Sequence, residues 1–160
     1  TIEIDSRPGR GTNICIRLPL TLAIMPTLMV VLGSQIFALP LVNVREIIDC
    51  DLRKVSTIDG QRTMVVRGRP VPLCYLSRWL VRDGDDYGAP HGHVVIVSVG
   101  LQTVGLLVDN LVGREEVVIK PLGALLHGIR GLAGATITGD GRIALILDLP
   151  ALVAAYARRA

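Results

Sequence analysis

The chain has 160 residues, half of them hydrophobic, and a formal net charge of +3 at pH 7. This length suits one domain or two small ones and is enough to bury a core. Its 17 basic residues are scattered, and its aromatic residues are few (one Trp, three Tyr and one Phe). Because single-stranded nucleic-acid binders need aromatic side chains among the basic ones, we expect no nucleic-acid binding.

The longest apolar stretch, residues 18–44, does not predict a membrane-spanning helix. Pro19, Pro26 and Pro40 interrupt it, and Gly33 adds a turn signal. The remaining pieces are shorter than the roughly 20 residues that a spanning helix requires. No basic leader precedes the stretch, so we expect a soluble chain without direct membrane insertion.

The first 20 residues predict a hairpin. Residues 1–5 and 13–18 alternate apolar and polar side chains, and a wide turn containing Gly9 and Gly11 separates them. The turn lacks the third glycine and the lysine of common nucleotide-binding signatures, and no helix follows it. We expect this hairpin to have one buried face and no sheet of its own.

Four two-residue turns divide the rest of the chain into strands. Gly33-Ser34 and Gly100-Leu101 fit type II′ turns, whereas Asp59-Gly60 and Asp140-Gly141 fit type I′ turns. Short strands joined in this way are typical of barrels and sandwiches. Two hairpins lie on each side of the polar segment 82–93, which predicts two small β-subdomains joined by an exposed loop. The predicted strands are residues 27–32, 35–39, 54–58, 61–66, 94–99, 102–108, 134–138 and 142–147.

Helices are expected to be short. Apolar residues at helical spacing predict one over residues 41–48, and a second apolar stripe covers residues 73–80. Near the C-terminus, Asp148 is the expected N-cap of a last helix, with Arg158 and Arg159 at its negative end. The apolar face of that helix consists of Leu149, Leu152, Val153 and Tyr156.

The titratable residues form no convincing catalytic or metal site. His91 and His93 would project to the same side of a strand, but no third ligand is near in sequence, and His127 lacks a neighbouring carboxylate. Asp109 and Asp148 follow apolar strands, where Asp commonly ends the strand and begins a turn or helix. We therefore expect no metal and no acid–base pair.

The three cysteines have no metal-ligand spacing. Cys15, Cys50 and Cys74 each lie in an apolar run, and an odd number does not form a disulfide framework. We expect three small buried thiols in a reducing cytoplasm.

The segment Arg67-Gly68-Arg69 is the most informative polar feature. It places two guanidinium groups between apolar strands, on the expected rim of a small barrel. Two interpretations stay open: ordinary surface arginines in a turn, or a protein contact, where Arg is enriched. Glu46 is a candidate acidic companion, and the abundance of Val, Ile and Leu indicates an exposed apolar contact surface.

Several motifs follow one another in the order of a known family. Gly9-x-Gly11-Thr12 precedes Leu18-Pro19-Leu20, and residues 37–47, 67–69, 116–123 and 131–148 follow. Together they resemble the C-terminal, CheW-like regulatory domain of the CheA family of chemotaxis histidine kinases, preceded by the last hairpin of the ATP-binding domain. The last two motifs are typical of the kinase rather than of the free-standing adaptor CheW.

The resemblance implies an all-β, CheW-like fold with a few short helices, made of two SH3-like five-stranded β-barrels. Residues 1–20 would be the incomplete last hairpin of a histidine-kinase ATP-binding domain, and residues 21–160 the regulatory domain. It also implies a cytoplasmic scaffold at receptor arrays that binds the adaptor CheW, the cytoplasmic tips of chemoreceptors and the rest of the kinase. Such a scaffold couples receptor state to autophosphorylation in two-component signalling.

The resemblance also assigns a remnant of a nucleotide pocket. Gly9, Gly11 and Thr12 match the edge of the family's adenine pocket, but the other nucleotide-binding elements of the family have no match in this sequence. We therefore expect no catalytic residue and no cofactor in this chain, whereas ATP and Mg²⁺ belong to the parent kinase.

Partner-binding candidates come from the same resemblance. Glu46 and Arg67 match polar positions of the CheW-like fold, and Arg69 accompanies them on the same turn. One departure is Pro26, in what should be the first barrel strand. Because proline cannot donate to a ladder, it should mark the start of that strand or an edge.

Two alternatives stay open. An active ATP-dependent kinase would require the nucleotide-binding elements that this sequence lacks. A free-standing CheW-like adaptor without kinase activity is disfavoured by the kinase-like hairpin of residues 1–20.

Overall fold

A computed structural model describes residues 2–17, 23–80, 91–120 and 131–157, and they are almost entirely β-structure. The strands are β1 (Ile2–Arg7), β2 (Gly11–Ile16), β3 (Ile24–Leu32), β4 (Gln35–Pro40), β5 (Val44–Asp51), β6 (Ser56–Ile58), β7 (Gln61–Val66), β8 (Arg69–Tyr75), β9 (His91–Val99), β10 (Gln102–Val108), β11 (Asn110–Val118), β12 (Leu132–Ile137) and β13 (Ile143–Leu147). The α-helices are α1 (Ser77–Leu80) and α2 (Leu149–Ala157). The expected all-β class with a few short helices is confirmed.

Within these residues the strands form two large sheets and one small one. The six-stranded sheet has the order β5-β9-β10-β8-β7-β6, and the five-stranded sheet has the order β11-β3-β4-β13-β12. β1 and β2 pair with each other in a separate sheet. The assignment of residues 1–20 and 21–160 to different domains stays a prediction.

The sheets do not follow the two halves of the chain, so the expected division at residues 82–93 is wrong. The β9–β10 hairpin joins β5 to β8, whereas β3 and β4 join β11, β12 and β13 from the C-terminal part. Parallel pairing of β10 with β8, and of β13 with β4, makes these long-range connections. Turn signals report only local hairpins, so they cannot show which hairpins share a sheet.

Each large sheet curls around an apolar core of its own, and a third core lies between the two sheets. In β9, Val94 and Ile96 face the core inside the six-stranded sheet, whereas Val95 and Val97 face the shared core. Strands buried on both faces read as continuous apolar runs. Much of the Val, Ile and Leu content therefore fills the shared core, but Val42, Ile47, Ile137 and Ile143 are among those that stay exposed, so the apolar contact surface stays a prediction. The five-stranded sheet packs Met29, Ile36, Ala38, Val117, Ala144 and Ile146 on its own side.

Helix α2 covers the shared core. Asp148 is its N-cap, since the Ala151 amide donates to Asp148 Oδ1 over 3.0 Å. Leu149, Leu152 and Val153 are buried in the shared core, as the apolar spacing predicts. Residues 158 and 159, the expected cations at its end, lie outside the described residues.

The two Asp-Gly turns, both predicted to be type I′, differ from each other in backbone geometry. Asp59 and Gly60 both have positive φ (48° and 77°), which confirms a type I′ turn. At Asp140-Gly141 only Gly141 has positive φ, and the Gly141 amide donates to Thr138 O over 2.9 Å. The Thr138 amide donates to Arg142 O over 2.8 Å, so the loop has three residues. Within it, the Asp140 carboxylate accepts hydrogen bonds from the Thr138 hydroxyl and the Arg142 guanidinium.

Residues 41–48 do not form the expected helix. A 3₁₀ turn covers Leu41–Asn43, and β5 follows. Pairing of β5 with β9 overrides the helical spacing. The expectation for Pro26 agrees with the structure, since Pro26 lies near the start of β3, before pairing with β4 begins at Thr27.

Only two of the three cysteines are buried, whereas all three were expected to be. Cys50 and Cys74 are buried, but Cys15 is exposed. Cys15 lies on β2, whose residues are all exposed, as are those of β1. The expected buried face of this hairpin is therefore not buried, because no other strand packs on it within the described residues.

Candidate protein-interaction surface

Glu46 lies on β5, an edge strand of the six-stranded sheet. A register shift between Val44 and Glu46 inserts an extra residue opposite β9. Such a bulge bends a strand and redirects its side chains. Beyond it, Ile48 and Cys50 point toward the core of this sheet, so Glu46 lies on the same side, at the end of that core.

Arg67 lies in the tight turn between β7 and β8. Arg67 and Gly68 both have positive φ (49° and 77°), which makes this a type I′ turn that the sequence analysis did not count among the hairpin turns. Arg67 Nη2 donates to Glu46 Oε2 over 2.9 Å. The structure thus brings together the two residues that the sequence could only suggest as companions.

The ion pair is asymmetric in its exposure. The Arg67 side chain is 81 % exposed, whereas that of Glu46 is 31 % exposed. An exposed pair of this kind contributes at most about 1 kcal/mol to folding. A non-glycine residue with positive φ is uncommon, and asparagine suits this turn position better than arginine. Local stability therefore does not explain why arginine occupies this turn.

Arg69 lies directly after this turn. It opens β8, pairs with Val66 and is exposed. No carboxylate of the described residues forms an ion pair with it. Glu46 compensates one of the two arginines, so this end of the six-stranded sheet keeps a net positive charge.

A groove adjoins the ion pair, where edge strands of the two sheets meet. Its lining includes Val44, Glu46 and Ile47 of β5 and Arg114 of β11. Val42, in the preceding 3₁₀ turn, is 83 % exposed. Apolar side chains bordered by arginines are typical of protein contacts. A separate exposed apolar pair, Ile137 and Ile143, lies across the end of the β12–β13 hairpin.

The proposed nucleotide-pocket remnant lies on the exposed β1–β2 hairpin. Gly9 and Gly11 have positive φ (75° and 100°), and the Thr12 hydroxyl is hydrogen-bonded to Ser6 over 2.8 Å. Ile2 faces Ile16 and Ile4 faces Ile14, so the four isoleucines share one exposed apolar face.

Three of the remaining titratable candidates have structural partners, namely His93, Asp109 and Asp148. His93 Nδ1 lies 2.6 Å from Asp49 Oδ1 across the β5–β9 ladder. Asp109 accepts a hydrogen bond from the Gly33 amide, and Asp148 caps α2, so the two do not act as a pair. Among the described residues, no group of His, Cys, Asp and Glu is arranged to hold a metal ion. His127 lies outside the described residues.

An aromatic cavity that no sequence pattern predicted lies at the end of β7 and β8 opposite to the Arg67 turn. Tyr75, Trp79 and Tyr156 line it, and they come from β8, α1 and α2. The sequence shows that aromatic residues are few. It does not show that three of them meet, because their contact depends on how α2 packs against β8 and α1.

Comparison with known proteins identifies the family of this fold. The family model "CheW-like domain" matches residues 26–157. The "Sensor histidine kinase CheAY" of Helicobacter pylori is 40% identical over 152 residues, which are 95% of this chain and 19% of that protein. The "Chemotaxis protein CheA" of Klebsiella aerogenes is also 40% identical over 152 residues, 94% of this chain and 23% of that protein.

A solved structure shows the same fold. The scaffolding protein CheW of Thermoanaerobacter tengcongensis superposes with a TM-score of 0.63 at 19% identity, covering 78% of this chain and 89% of that one. The chain belongs to the CheW-like domain family, whose SH3-like fold it shares. It is a CheW-like domain of the kind that CheA chemotaxis kinases carry, and it spans about a fifth of the length of these relatives. None of its described helices is both long and apolar enough to cross a membrane.

Proposed function

We propose that this chain is the regulatory and scaffolding domain of a chemotaxis histidine kinase. In this role it binds the adaptor CheW and the cytoplasmic tips of chemoreceptors, and couples receptor state to autophosphorylation of the kinase. It would act in the cytoplasm, at receptor arrays on the inner face of the membrane. Membership of the CheW-like family and similarity to CheA proteins support this proposal.

The ion pair between Arg67 and Glu46 is the observation from which we assign the proposed binding role to particular residues. Arg67 occupies a strained position with its side chain extended into solvent, beside a groove that contains Ile47 and Arg114. Backbone strain of this kind points to a functional rather than a structural requirement. We assign Arg67 and Arg69 to polar contacts with a partner, and Glu46 to positioning the Arg67 guanidinium.

Substitutions of Arg67 test this assignment. Arg67→Asn should leave the melting temperature unchanged or raise it, because asparagine suits the turn, and should weaken CheW binding. Arg67→Glu should weaken binding further, by about tenfold or more, because it reverses the charge at the contact. A titration with purified CheW and a receptor fragment measures binding, and a thermal melt of each variant measures folding.

Arg142→Glu is the matched control, since Arg142 also forms an ion pair at the surface, with Asp140 at a different hairpin. It should bind CheW like the unmodified chain. The exchanged pair Glu46→Arg with Arg67→Glu should restore the internal ion pair without restoring binding. If Arg67→Glu binds normally, or if binding falls only together with unfolding, the assignment of this surface is wrong.

For the nucleotide chemistry of the parent kinase, we propose that this chain contributes no more than the edge of a pocket. Thr12 is exposed and bonded to Ser6, and one threonine with two glycines provides neither a phosphate cradle nor a metal ligand set. A calorimetric titration with ATP and Mg²⁺ should therefore show no saturable binding. Saturable binding would instead favour an active kinase.

A further inference from the structure

A cavity of about 300 Å³ opens between the six-stranded sheet and α2, at the end of the β7–β8 hairpin opposite to Arg67. Tyr75, Trp79 and Tyr156 line it. They are three of the five aromatic residues in the chain (one Trp, three Tyr and one Phe). The rings of Trp79 and Tyr156 lie 5.7 Å apart at their centres and form part of one wall. Small-molecule sites combine such apolar walls with a few fixed polar groups.

Arg62 is the polar group of this cavity that is available to a ligand. Its Nη1 donates to the Tyr75 hydroxyl over 3.2 Å, and its guanidinium carbon lies 5.8 Å from the centre of the Tyr75 ring. No carboxylate of the described residues pairs with Arg62. Arg78 approaches the same ring at 5.1 Å and adds positive charge. A guanidinium held against an aromatic ring keeps N–H donors in a plane that matches a carboxylate.

The other polar atoms of the wall already have partners. The Tyr156 hydroxyl donates to Leu73 O over 2.8 Å and accepts a hydrogen bond from Gln61. These bonds fix the aromatic wall and leave Arg62 to select the ligand. Asp59 contributes a negative charge at the rim, where it opposes the binding of an anion.

We propose that this cavity binds a small planar carboxylate, an aromatic acid of the size of benzoate. Arg62 holds the carboxylate, and Tyr75, Trp79 and Tyr156 contact the ring. The site lies apart from the Arg67–Glu46 surface, so it does not depend on the proposed partner contacts.

Trp79 gives a direct measurement, because it is the only tryptophan of the chain. In a ¹H–¹⁵N spectrum its indole N–H gives a single cross-peak, which reports on a residue that lines the cavity. Titration with benzoate should shift this peak saturably, with a dissociation constant on the order of millimolar, as expected of so small a ligand. Benzamide, the neutral analogue of the same shape, should leave the peak unshifted.

Two variants with opposite expected effects on benzoate affinity complete the test. Arg62→Gln should weaken benzoate binding by about tenfold or more, because it removes a charge-assisted hydrogen bond. Asp59→Asn should strengthen binding, and asparagine keeps the type I′ turn. Arg142→Gln removes the same charge on a different hairpin, outside the cavity, and should bind benzoate normally. No saturable shift in the folded chain, an equal shift with benzamide, or unchanged affinity in a folded Arg62→Gln variant would overturn the proposal.

Discussion

The hydroxyl of Tyr156 donates a hydrogen bond to the backbone carbonyl of Leu73, 2.8 Å away. Tyr156 is on α2, which follows the last strand of the five-stranded sheet, whereas Leu73 is on β8 of the six-stranded sheet. Helix α2 therefore connects the two sheets. Its apolar face packs in their shared core, and its Tyr156 hydroxyl bonds to β8 of the six-stranded sheet. The two sheets should unfold together, because neither can expose the shared core without losing α2.

Tyr156→Phe should lower the free energy of unfolding by about 1–3 kcal/mol, the usual contribution of two hydrogen bonds. The loss comes from the removed bonds to Leu73 and Gln61, because the ring and its packing on Trp79 are kept. Urea denaturation followed by Trp79 fluorescence measures it. Thr103→Val, which removes the exposed hydrogen bond with Ser98, is the control and should change stability by less than about 0.5 kcal/mol. Equal losses in both variants would contradict the connecting role of Tyr156.

Gly105→Ala should destabilise the six-stranded sheet. A Cβ at this position would lie 2.7 Å from Leu73 Cδ2 and 2.8 Å from Val94 Cγ1, both in a buried core. Overpacking of this kind costs about 1–3 kcal/mol. Gly139→Ala is the matched control, since a Cβ there meets nothing within 4 Å. Chemical denaturation measures both changes. A larger loss of stability in Gly139→Ala than in Gly105→Ala would contradict the close packing around Gly105.

The three thiols should react at different rates. Cys15 is exposed, whereas burial raises the pKa of Cys50 and raises the pKa of Cys74 to about 12. Because the thiolate is the reactive form, Ellman's reagent should modify one thiol quickly in the folded chain and the other two only after unfolding. Cys15→Ser should abolish the fast reaction. A fast reaction that persists in this variant would place Cys50 or Cys74 at the surface.

Stability should depend on pH through Asp51. Hydrogen bonds from Arg53 hold the pKa of this carboxyl at about 2, below its ordinary value of about 3.9. A lowered pKa in the folded state contributes stability above the unfolded pKa, and that contribution is lost as pH falls from about 4 toward 2. Asp51→Asn should therefore reduce stability at pH 7 but have little effect near pH 2.

A double-mutant cycle isolates this ion pair. Arg53→Gln should reduce stability at pH 7 by a similar amount to Asp51→Asn, and the double variant should lose little more. Thermal melts at both pH values measure these differences. Strictly additive losses at pH 7 would mean that the two side chains do not act as a pair.

The β1–β2 hairpin should be the least protected part of the described chain. All of its side chains are exposed, including Ile4 and Ile14 on its apolar face. Its amides should exchange with solvent faster than those of β12 and β13, and Ile14→Thr should leave the melting temperature unchanged. Ile146→Thr, at a fully buried position, should lower it strongly. Exchange in a monomeric sample as slow as in β12–β13 would contradict this prediction.

The amino-acid sequence by itself determined the local features of this protein. The Asp59-Gly60 turn, the Asp148 cap and the buried side of α2 follow from the conformations that single residues and their close neighbours favour. The family resemblance also follows from the amino-acid sequence alone, because its motifs occur along the chain in the order typical of the family. Local chemistry is sufficient for the turn and the cap because their interactions span only a few residues.

Only the tertiary structure decided how these pieces assemble. Residues 41–48 show helical spacing, yet most of them form a strand because β9 offers a partner that lies far away in sequence. The contact between Glu46 and Arg67, the shared core and the aromatic cavity at Tyr156 depend on which strands pair and how the sheets curl. Strand pairing is non-local, since the burial of whole faces selects the partners, and no short window of sequence contains that choice.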